Sequence, residues 1–213
     1  QQAIDDSNVV NGDLVIVRDG TYVENIYFNG MAITLKSENG PATTIIDGNQ
    51  AGSVVTFQSD ELPSAVLRSF TLQNGLTADG GGIYCTDGSS PSLDNLIITN
   101  NTANGGGAGV HCSNGSSPGL ENIKIINNSA MSSNGRGGGL RFTTNSDPTL
   151  VNVLISDNTA TQEGGGVFCY NSDPSFINVT ISGNVSSIND GSGIFIKNNS
   201  NMNLINTVLW GNE

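Results

Sequence analysis

A repeat of about 27 residues constrains this chain more than any other feature of its sequence. Five segments align with one another, at residues 80–101, 107–128, 137–158, 164–184 and 191–212. Two more divergent copies precede them. A unit of this length can bury its apolar side only by stacking on its neighbours. The repeat therefore predicts a solenoid built from one coil per copy.

Two apolar columns give the register of the predicted stack. The first column recurs at spacings of 29, 28, 27, 30, 27 and 27 residues and comprises Phe28, Phe57, Cys85, Cys112, Phe142, Cys169 and Ile196. The second lies two residues earlier and comprises Ile26, Val55, Ile83, Val110, Leu140, Val167 and Ile194. Apolar residues at i and i+2 indicate a strand with one buried face. We predict an all-β fold, a single-stranded right-handed parallel β-helix of about seven coils, each holding three short strands.

The whole chain, 1–213, is predicted to form one β-helix domain. Residues 1–8 are interpreted as the remnant of an N-terminal cap, in which Gln1–Ser7 has the pattern of the end of an amphipathic helix. Residues 13–79 hold the divergent coils and 80–213 the regular ones. The last coil is predicted to leave backbone groups unpaired beyond Glu213, so we expect either further chain or end-to-end pairing with another molecule.

Two columns of asparagine support the same register. One is expected to form a structural ladder in the interior, between the second and third strand of each coil, and comprises Asn95, Asn122, Asn152, Asn178 and Asn206. The other closes the third strand and comprises Asn101, Asn128, Asn158, Asn184 and Asn212. Asparagine tolerates left-handed backbone angles, and its side chain can hydrogen-bond along a stack.

The repeats carry the motifs GGG-x-x-C, SSP-x-L-x-N and I-S-x-N. This pattern resembles the secreted right-handed β-helix proteins of the pectin-lyase-like superfamily, in particular the bacterial surface type, over residues 13–212. The resemblance implies the fold and an extracellular or cell-surface location. In that superfamily the fold serves polysaccharide lyases, polygalacturonases, phage tailspikes and non-catalytic adhesins, so the resemblance does not decide the activity.

Charge and hydropathy exclude two classes of partner. The chain has 7 Lys and Arg against 19 Asp and Glu, a net charge of −12, which argues against nucleic acid as a partner. No apolar run approaches the length of a membrane span. Three cysteines are too few for a disulfide scaffold, and Cys85 and Cys112 are expected as buried thiols on adjacent coils.

The resemblance implies that an active site would lie on the outer face of the first strand of each coil. Two columns point outward there: Tyr27, Thr56, Tyr84, His111, Arg141, Phe168 and Phe195, and then Asn29, Gln58, Thr86, Ser113, Thr143, Tyr170 and Lys197. Neither contains a carboxylate, although hydrolases need acid pairs and calcium-dependent lyases need acidic ligands. We therefore predict no catalytic residues. The candidates for an alternative, metal-independent lyase are Tyr84, His111 and Arg141, with Tyr or His as base and Arg neutralising a uronate.

Two further sets of residues are candidates for binding. Phe168, Tyr170, Phe195 and Lys197 form a predicted ligand-binding strip, because aromatic rings and a cation can stack on a sugar or a partner chain. Asp147 and Asp173 precede prolines on adjacent coils and are candidates for sharing a Ca²⁺ ion, with Asp before Pro in a turn as the alternative. No other cofactor is expected.

These observations favour a non-catalytic extracellular module, structural or adhesive, that self-associates end to end. The alternatives are a polysaccharide lyase or hydrolase, and a carbohydrate-binding module on the outer face of the first strand. The expected partner is therefore another copy of the chain or an extracellular polysaccharide.

Overall fold

The computed structural model describes residues 1–188 and 190–213. In those residues it contains 28 short strands and no helix. The strands form four sheets, and every strand is parallel to the strands it pairs with. The chain therefore winds as a β-solenoid of about seven turns. The predicted fold class is therefore confirmed.

Sheets A and B each contain eight strands. Sheet A comprises β1 (Leu14–Val17), β4 (Thr34–Ser37), β7 (Val66–Arg68), β11 (Ser92–Asp94), β15 (Gly119–Glu121), β19 (Thr149–Val151), β23 (Ser175–Ile177) and β27 (Asn203–Ile205). Sheet B comprises β2 (Gly20–Val23), β5 (Thr44–Asp47), β8 (Thr71–Gln73), β12 (Ile97–Thr99), β16 (Lys124–Ile126), β20 (Leu154–Ser156), β24 (Thr180–Ser182) and β28 (Val208–Trp210).

Sheets C and D complete the coil. Sheet C comprises β3 (Ile26–Tyr27), β6 (Val55–Phe57), β10 (Ile83–Cys85), β14 (Val110–Cys112), β18 (Leu140–Thr143), β22 (Val167–Tyr170) and β26 (Ile194–Lys197). Sheet D is shorter and comprises β9 (Leu76–Asp79), β13 (Thr102–Gly106), β17 (Ser129–Ala130), β21 (Thr159–Ala160) and β25 (Val185–Ser186). A regular coil passes through sheets C, A, B and D in that order.

The predicted register of sheet C is confirmed. Cys85 pairs with Phe57 on one side and with Cys112 on the other, and the column continues through Phe142 to Cys169 and Ile196. All of these side chains except Ile196, which is 45 % exposed, are buried and stack with those of sheets A and B in one continuous apolar core. Stacking removes from water the apolar face that each coil would otherwise expose. All three cysteines are buried and free.

Three expectations about the coils need correction. Each regular coil holds four strands rather than three, because a short strand of sheet D follows sheet B. Strands β1 and β2 add a rung to sheets A and B before the first recognised repeat. Gln1–Ser7 forms turns instead of the end of a helix, because its backbone bonds close only one turn, onto the carbonyl of Gln1. Ile4 nevertheless packs into the core there.

The inner asparagine ladder consists of Asn101, Asn128, Asn158, Asn184 and Asn212. In each of the first four, the backbone N–H and the side-chain Nδ2 both donate to Oδ1 of the asparagine one coil later, at 2.9–3.1 Å. The side-chain Nδ2 also donates to a carbonyl of an earlier coil, as Asn158 does to Ile125 at 2.9 Å. The first four residues of this ladder are buried.

The outer asparagine ladder consists of Asn95, Asn122, Asn152, Asn178 and Asn206, which lie at the corner between sheets A and B. All five have positive φ, between 49° and 56°, and all five are exposed. The expectation of an interior position is therefore wrong for this column. Their side chains do bond along the stack, as Asn178 donates to Asn152 at 3.2 Å. The asparagine at this corner adopts a left-handed backbone conformation, and its side chain therefore points outward.

Glu61 is a buried carboxylate that joins three coils. It accepts hydrogen bonds from the N–H of Gly30 at 2.9 Å, the N–H of Ser59 at 2.9 Å and the hydroxyl of Ser89 at 2.6 Å. Burial alone would raise the pKa of Glu61, but the hydrogen bonds from Ser89, Ser59 and Gly30 outweigh it and hold the pKa below its ordinary value. The carboxylate is therefore ionised, and both of its oxygens accept hydrogen bonds.

Candidate functional site

The outer-face cluster is a group of charged and aromatic side chains on the outer side of sheet C. It comprises Asp79, Tyr84, His111, Arg136, Arg141, Glu163, Phe168 and Phe195. The in-register pairing of β10, β14, β18, β22 and β26 places five of these side chains in one column. Neighbouring members of the column are about 4.8 Å apart because this is the spacing of strands in a sheet.

Arg141 is held by a carboxylate from a coil that is not its neighbour. Its Nη1 donates to Oδ1 of Asp79 at 2.7 Å, although 62 residues separate them in sequence. Gly106 lies between the two coils, and a Cβ there would be 2.9 Å from Cδ of Arg141. The same Cβ would overlap the carbonyl oxygen of Arg136, so only glycine fits between this backbone and the side chain of Arg141.

Two guanidinium groups cover the ring of Phe168. The Cζ atom of Arg136 lies 5.7 Å from the ring centroid and that of Arg141 lies 6.0 Å away. Arg136 is paired with Glu163, and Phe168 stacks on Phe195 at 5.8 Å with an interplanar angle of 8°. Cation–π contact and stacking together leave Phe168 only 4 % exposed.

His111 lies at the centre of the cluster and is only 5 % exposed. Its Nδ1 is 3.6 Å from Oδ1 of Asp79 and has no hydrogen-bond partner among the described residues, while its Nε2 lies 3.2 Å from Oγ1 of Thr143. The ring packs against Tyr84 with centroids 5.5 Å apart. Burial, with a smaller effect from the positive charge of Arg141, lowers the pKa of His111 from 6.5 to about 3. The imidazole is therefore neutral at physiological pH.

The order of groups from Asp79 through His111 to Thr143 is that of a carboxylate, an imidazole and a hydroxyl. Hydrolytic triads use this order, in which the imidazole takes the hydroxyl proton. Here the imidazole is buried and its low pKa makes it a weak base, whereas an effective general base has a pKa close to the working pH. The arrangement therefore fits a buried, neutral imidazole with a packing role better than the general base of a nucleophile.

The structure brings Tyr84, His111 and Arg141 together on three successive coils, as the register predicted. Two further features differ from the expected open surface. His111 is buried, and Arg141 is already neutralised by Asp79. A uronate carboxylate would have to displace Asp79 in order to bind this guanidinium. The two outward columns contain no carboxylate, as the sequence shows, but Asp79 and Glu163 reach this face from outside those columns.

The four residues of the predicted ligand-binding strip differ in their exposure to solvent. Phe168 is buried and Phe195 is half-buried, so these two rings do not form the exposed surface that we expected. Tyr170 is 38 % exposed and pairs in register with Lys197, which is also exposed. The accessible part of the strip is therefore this last pair.

The two aspartates considered for Ca²⁺ lie on adjacent coils and bond to the backbone. Oδ1 of Asp147 accepts the N–H of Asp173 at 2.6 Å, and Oδ1 of Asp173 accepts the N–H of Asn201 at 2.6 Å. This continues a column in which Ser90 and Ser117 accept from the next coil in the same way. A cation bound here would compete with backbone N–H groups for the same carboxylate oxygens. Within the described ranges, no three His, Cys, Asp or Glu side chains are grouped for metal binding.

Two cavities lie away from the cluster. One of about 640 Å³ separates the N-terminal turn from the first coil, and its lining includes Ile4, Val17, Ile26, Leu35 and Phe70. Another of about 240 Å³ lies beside Asn74 and Asn100. Neither is lined by a residue of the outer-face cluster.

Sequence reasoning missed Asp79, Arg136 and Glu163, although a local signal marks all three. Each immediately precedes a run of three glycines, which begins at Gly80, Gly137 or Gly164. The first glycine of each run has φ between 66° and 72°. The chain turns sharply there before it enters the next strand of sheet C, and the side chain just before the turn reaches the outer-face cluster.

A parallel stack of coils with inward apolar ladders defines a β-helix repeat protein. The chain belongs to the right-handed β-helix region family, whose model matches residues 4–213. No curated protein and no solved structure matched the chain. Among the residues that the structure describes, none forms a helix suited to crossing a membrane.

Proposed function

We propose that the chain is a non-catalytic extracellular β-helix module with a structural or adhesive role. The observation that carries this proposal is the internal pairing of the outer-face cluster. Arg141 is bonded to Asp79, Arg136 is bonded to Glu163, and His111 is buried and neutral. The guanidinium that a lyase would use on substrate is therefore already paired, and the imidazole is buried and a weak base.

The experiment is a cleavage assay with the purified 213-residue chain and uronate polymers such as pectate and alginate. We expect no rise in the ultraviolet absorbance that unsaturated products give, under conditions in which a known lyase is active. A rise that is lost in both His111→Ala and Tyr84→Phe would overturn the proposal and place a lyase site at the cluster.

End-to-end self-association is part of the proposed role. Parallel coils pair through backbone N–H and C=O groups that point along the stack, so a second copy of the chain can continue the ladder. Leu209 belongs to an inward apolar column, where it pairs in register with the fully buried Ile181, so a charge at this position disfavours stacking on its coil. Light scattering of the 213-residue chain tests this. We expect the mass to rise with concentration, less so in Leu209→Lys, and a constant monomer mass would contradict it.

A second candidate function is binding of an acidic polysaccharide at Tyr170 and Lys197. The observation in its favour is that an exposed ring and an exposed ammonium group lie side by side in register. Affinity electrophoresis in gels containing pectate or alginate tests it. We expect retardation that is reduced in Lys197→Ala and in Tyr170→Ala but not in the control Lys36→Ala. Equal mobility with and without polysaccharide would contradict it.

A further inference from the structure

The outer face of sheet A carries four charged residues in one column. In each of the strands β4, β7, β11 and β15 a leucine is buried, so the residue that follows it points outward. In-register pairing aligns these outward residues with those of β1 and β19 in what we call the charge column, which runs in the order Ile16, Lys36, Arg68, Asp94, Glu121 and Val151. The column therefore has two positive residues, then two negative ones, with an apolar residue at each end.

Within one chain this order of charges is partly unfavourable. Neighbouring strands are about 4.8 Å apart, so both the two cations and the two carboxylates are like-charged neighbours that repel each other. Only the middle contact joins opposite charges, where Nε of Arg68 lies 2.8 Å from Oδ2 of Asp94. Among the residues that the structure describes, neither Lys36 nor Glu121 belongs to an ion pair. These two charges are therefore available to a partner.

The charge column lies on an open face that carries no net charge. Ile16 is 56 % exposed, the side chain of Arg68 is 47 % exposed, and Glu121 is exposed as well. The second outward column of the same strands has no charged residue and comprises Leu14, Thr34, Val66, Ser92, Gly119 and Thr149. Although the chain has a net charge of −12, contact through this face brings together no excess of like charge.

We propose that two copies of the chain bind side by side through the outer faces of sheet A, with their coils in opposite order. The two-fold axis of this dimer runs along the strand direction, between β7 and β11. It places positive residues opposite negative ones and apolar residues opposite apolar ones, in the pairs Lys36 with Glu121, Arg68 with Asp94, and Ile16 with Val151. The symmetry generates each pair twice. The inference goes beyond the proposed function, because the ends of the solenoid take no part in this contact.

The charges select the reversed order of coils over the parallel one. If two copies lay side by side with their coils in the same order, Lys36 would face Lys36 and Glu121 would face Glu121. Reversal converts both repulsive contacts into attractive ones. Packed sheets lie about 10 Å apart, a gap that a lysine and a glutamate side chain can bridge together.

The size of the contact predicts a weak dimer. The two copies overlap over six strands each, from β1 to β19, a length of about 29 Å. A face of this length and only three or four residues wide lies at the small end of specific interfaces. Dimerisation therefore requires high protein concentration, and added salt should weaken it because exposed ion pairs are screened.

Sedimentation equilibrium of the 213-residue chain tests the contact by exchange of charge. Lys36→Glu and Glu121→Lys should each raise the dissociation constant about tenfold, because each makes two attractive pairs repulsive. An equimolar mixture of these two variants should regain the parent affinity, since every pair in the mixed dimer again joins opposite charges. The matched control is Lys124→Glu, which reverses the same charge at an exposed position of sheet B and should leave the affinity unchanged.

Three sedimentation results would overturn the proposal. They are a parent chain that stays monomeric at high concentration, a mixture that associates no more tightly than the single variants, and a Lys124→Glu variant that is weakened as much as Lys36→Glu. Circular dichroism of each variant establishes that it is folded before it is compared.

Small-angle X-ray scattering of the parent chain needs no variant. The side-by-side dimer spans ten strands along the rod axis, about 48 Å, whereas two copies joined end to end span sixteen, about 77 Å. We expect the shorter dimer, and a dimer of the longer dimension would assign the association to the ends and contradict the contact through sheet A.

Discussion

The two asparagine ladders have the same residue and the same period but different physical causes. In the outer ladder the backbone is left-handed, and asparagine is among the few residues that adopt this conformation at low cost. In the inner ladder the backbone is not left-handed, and asparagine is needed because one side chain must both accept and donate in a buried position. Recurrence of a residue therefore shows that a position is constrained without showing which constraint acts.

The largest effect is expected at the inner ladder. Asn158→Ala removes the acceptor of two donors from Asn128 and the donor to the Ile125 carbonyl. Buried groups without partners cost about 1–3 kcal/mol each, so we expect the free energy of unfolding to fall by about 3–5 kcal/mol. Urea denaturation followed by circular dichroism measures this change.

Asn158→Asp separates the two roles of the amide. The carboxylate keeps the acceptor for Asn128 but cannot donate to Asn184 or Ile125, and it places a charge in the core. We expect it to be no more stable than Asn158→Ala. If either variant unfolds at the same urea concentration as the parent protein, the inner ladder is not held by hydrogen bonding.

Glu61 is a buried hydrogen-bond acceptor that is not repeated from coil to coil. It therefore tests whether buried hydrogen bonds stabilise the solenoid where no ladder is present. Glu61→Gln weakens three charge-assisted bonds, and we expect a loss of about 1–3 kcal/mol at pH 7. The pKa of Glu61 is lowered in the folded protein, so its stabilising effect is present above the ordinary carboxyl pKa and is lost as the pH falls below it. The difference between parent and variant should therefore shrink in acid. A difference that grows as the pH falls would contradict this assignment.

The smallest effect is expected at the outer ladder. Asn152→Leu places a side chain with a Cβ in the left-handed region, at a cost of about 1 kcal/mol. The lost side-chain bonds are replaced by water because the position is exposed. Asn152→Gly tolerates the conformation and should restore the parent melting temperature to within about 2 °C. A loss as large as that of Asn158→Ala would show that the two ladders do not differ as described.

The fold was predictable because its apolar columns repeat with a fixed register. Phe57, Cys85 and Cys112 could be aligned from sequence, and their strands pair as that alignment requires. Burial of the outward column was not predictable in the same way. His111 occupies the same register position as the half-buried Tyr84, but the backbone of Gly107 lies against its Cβ and Asp79, from a neighbouring sheet, lies 3.6 Å from its Nδ1. Such contacts depend on how a corner turns, which the period of the repeat does not encode.

The inner ladder also gives every coil the same direction. Oδ1 of Asn128, Asn158 and Asn184 accepts from the asparagine one coil earlier, and Nδ2 of each donates to the asparagine one coil later. In the bonds between asparagines each coil therefore accepts on one side and donates on the other, so any two copies fit together in the same orientation. A gene encoding such a chain can gain or lose a whole coil by duplication or deletion without leaving a buried amide unmatched. Insertion of part of a coil would break the match, so the length of the solenoid should change in steps of one repeat.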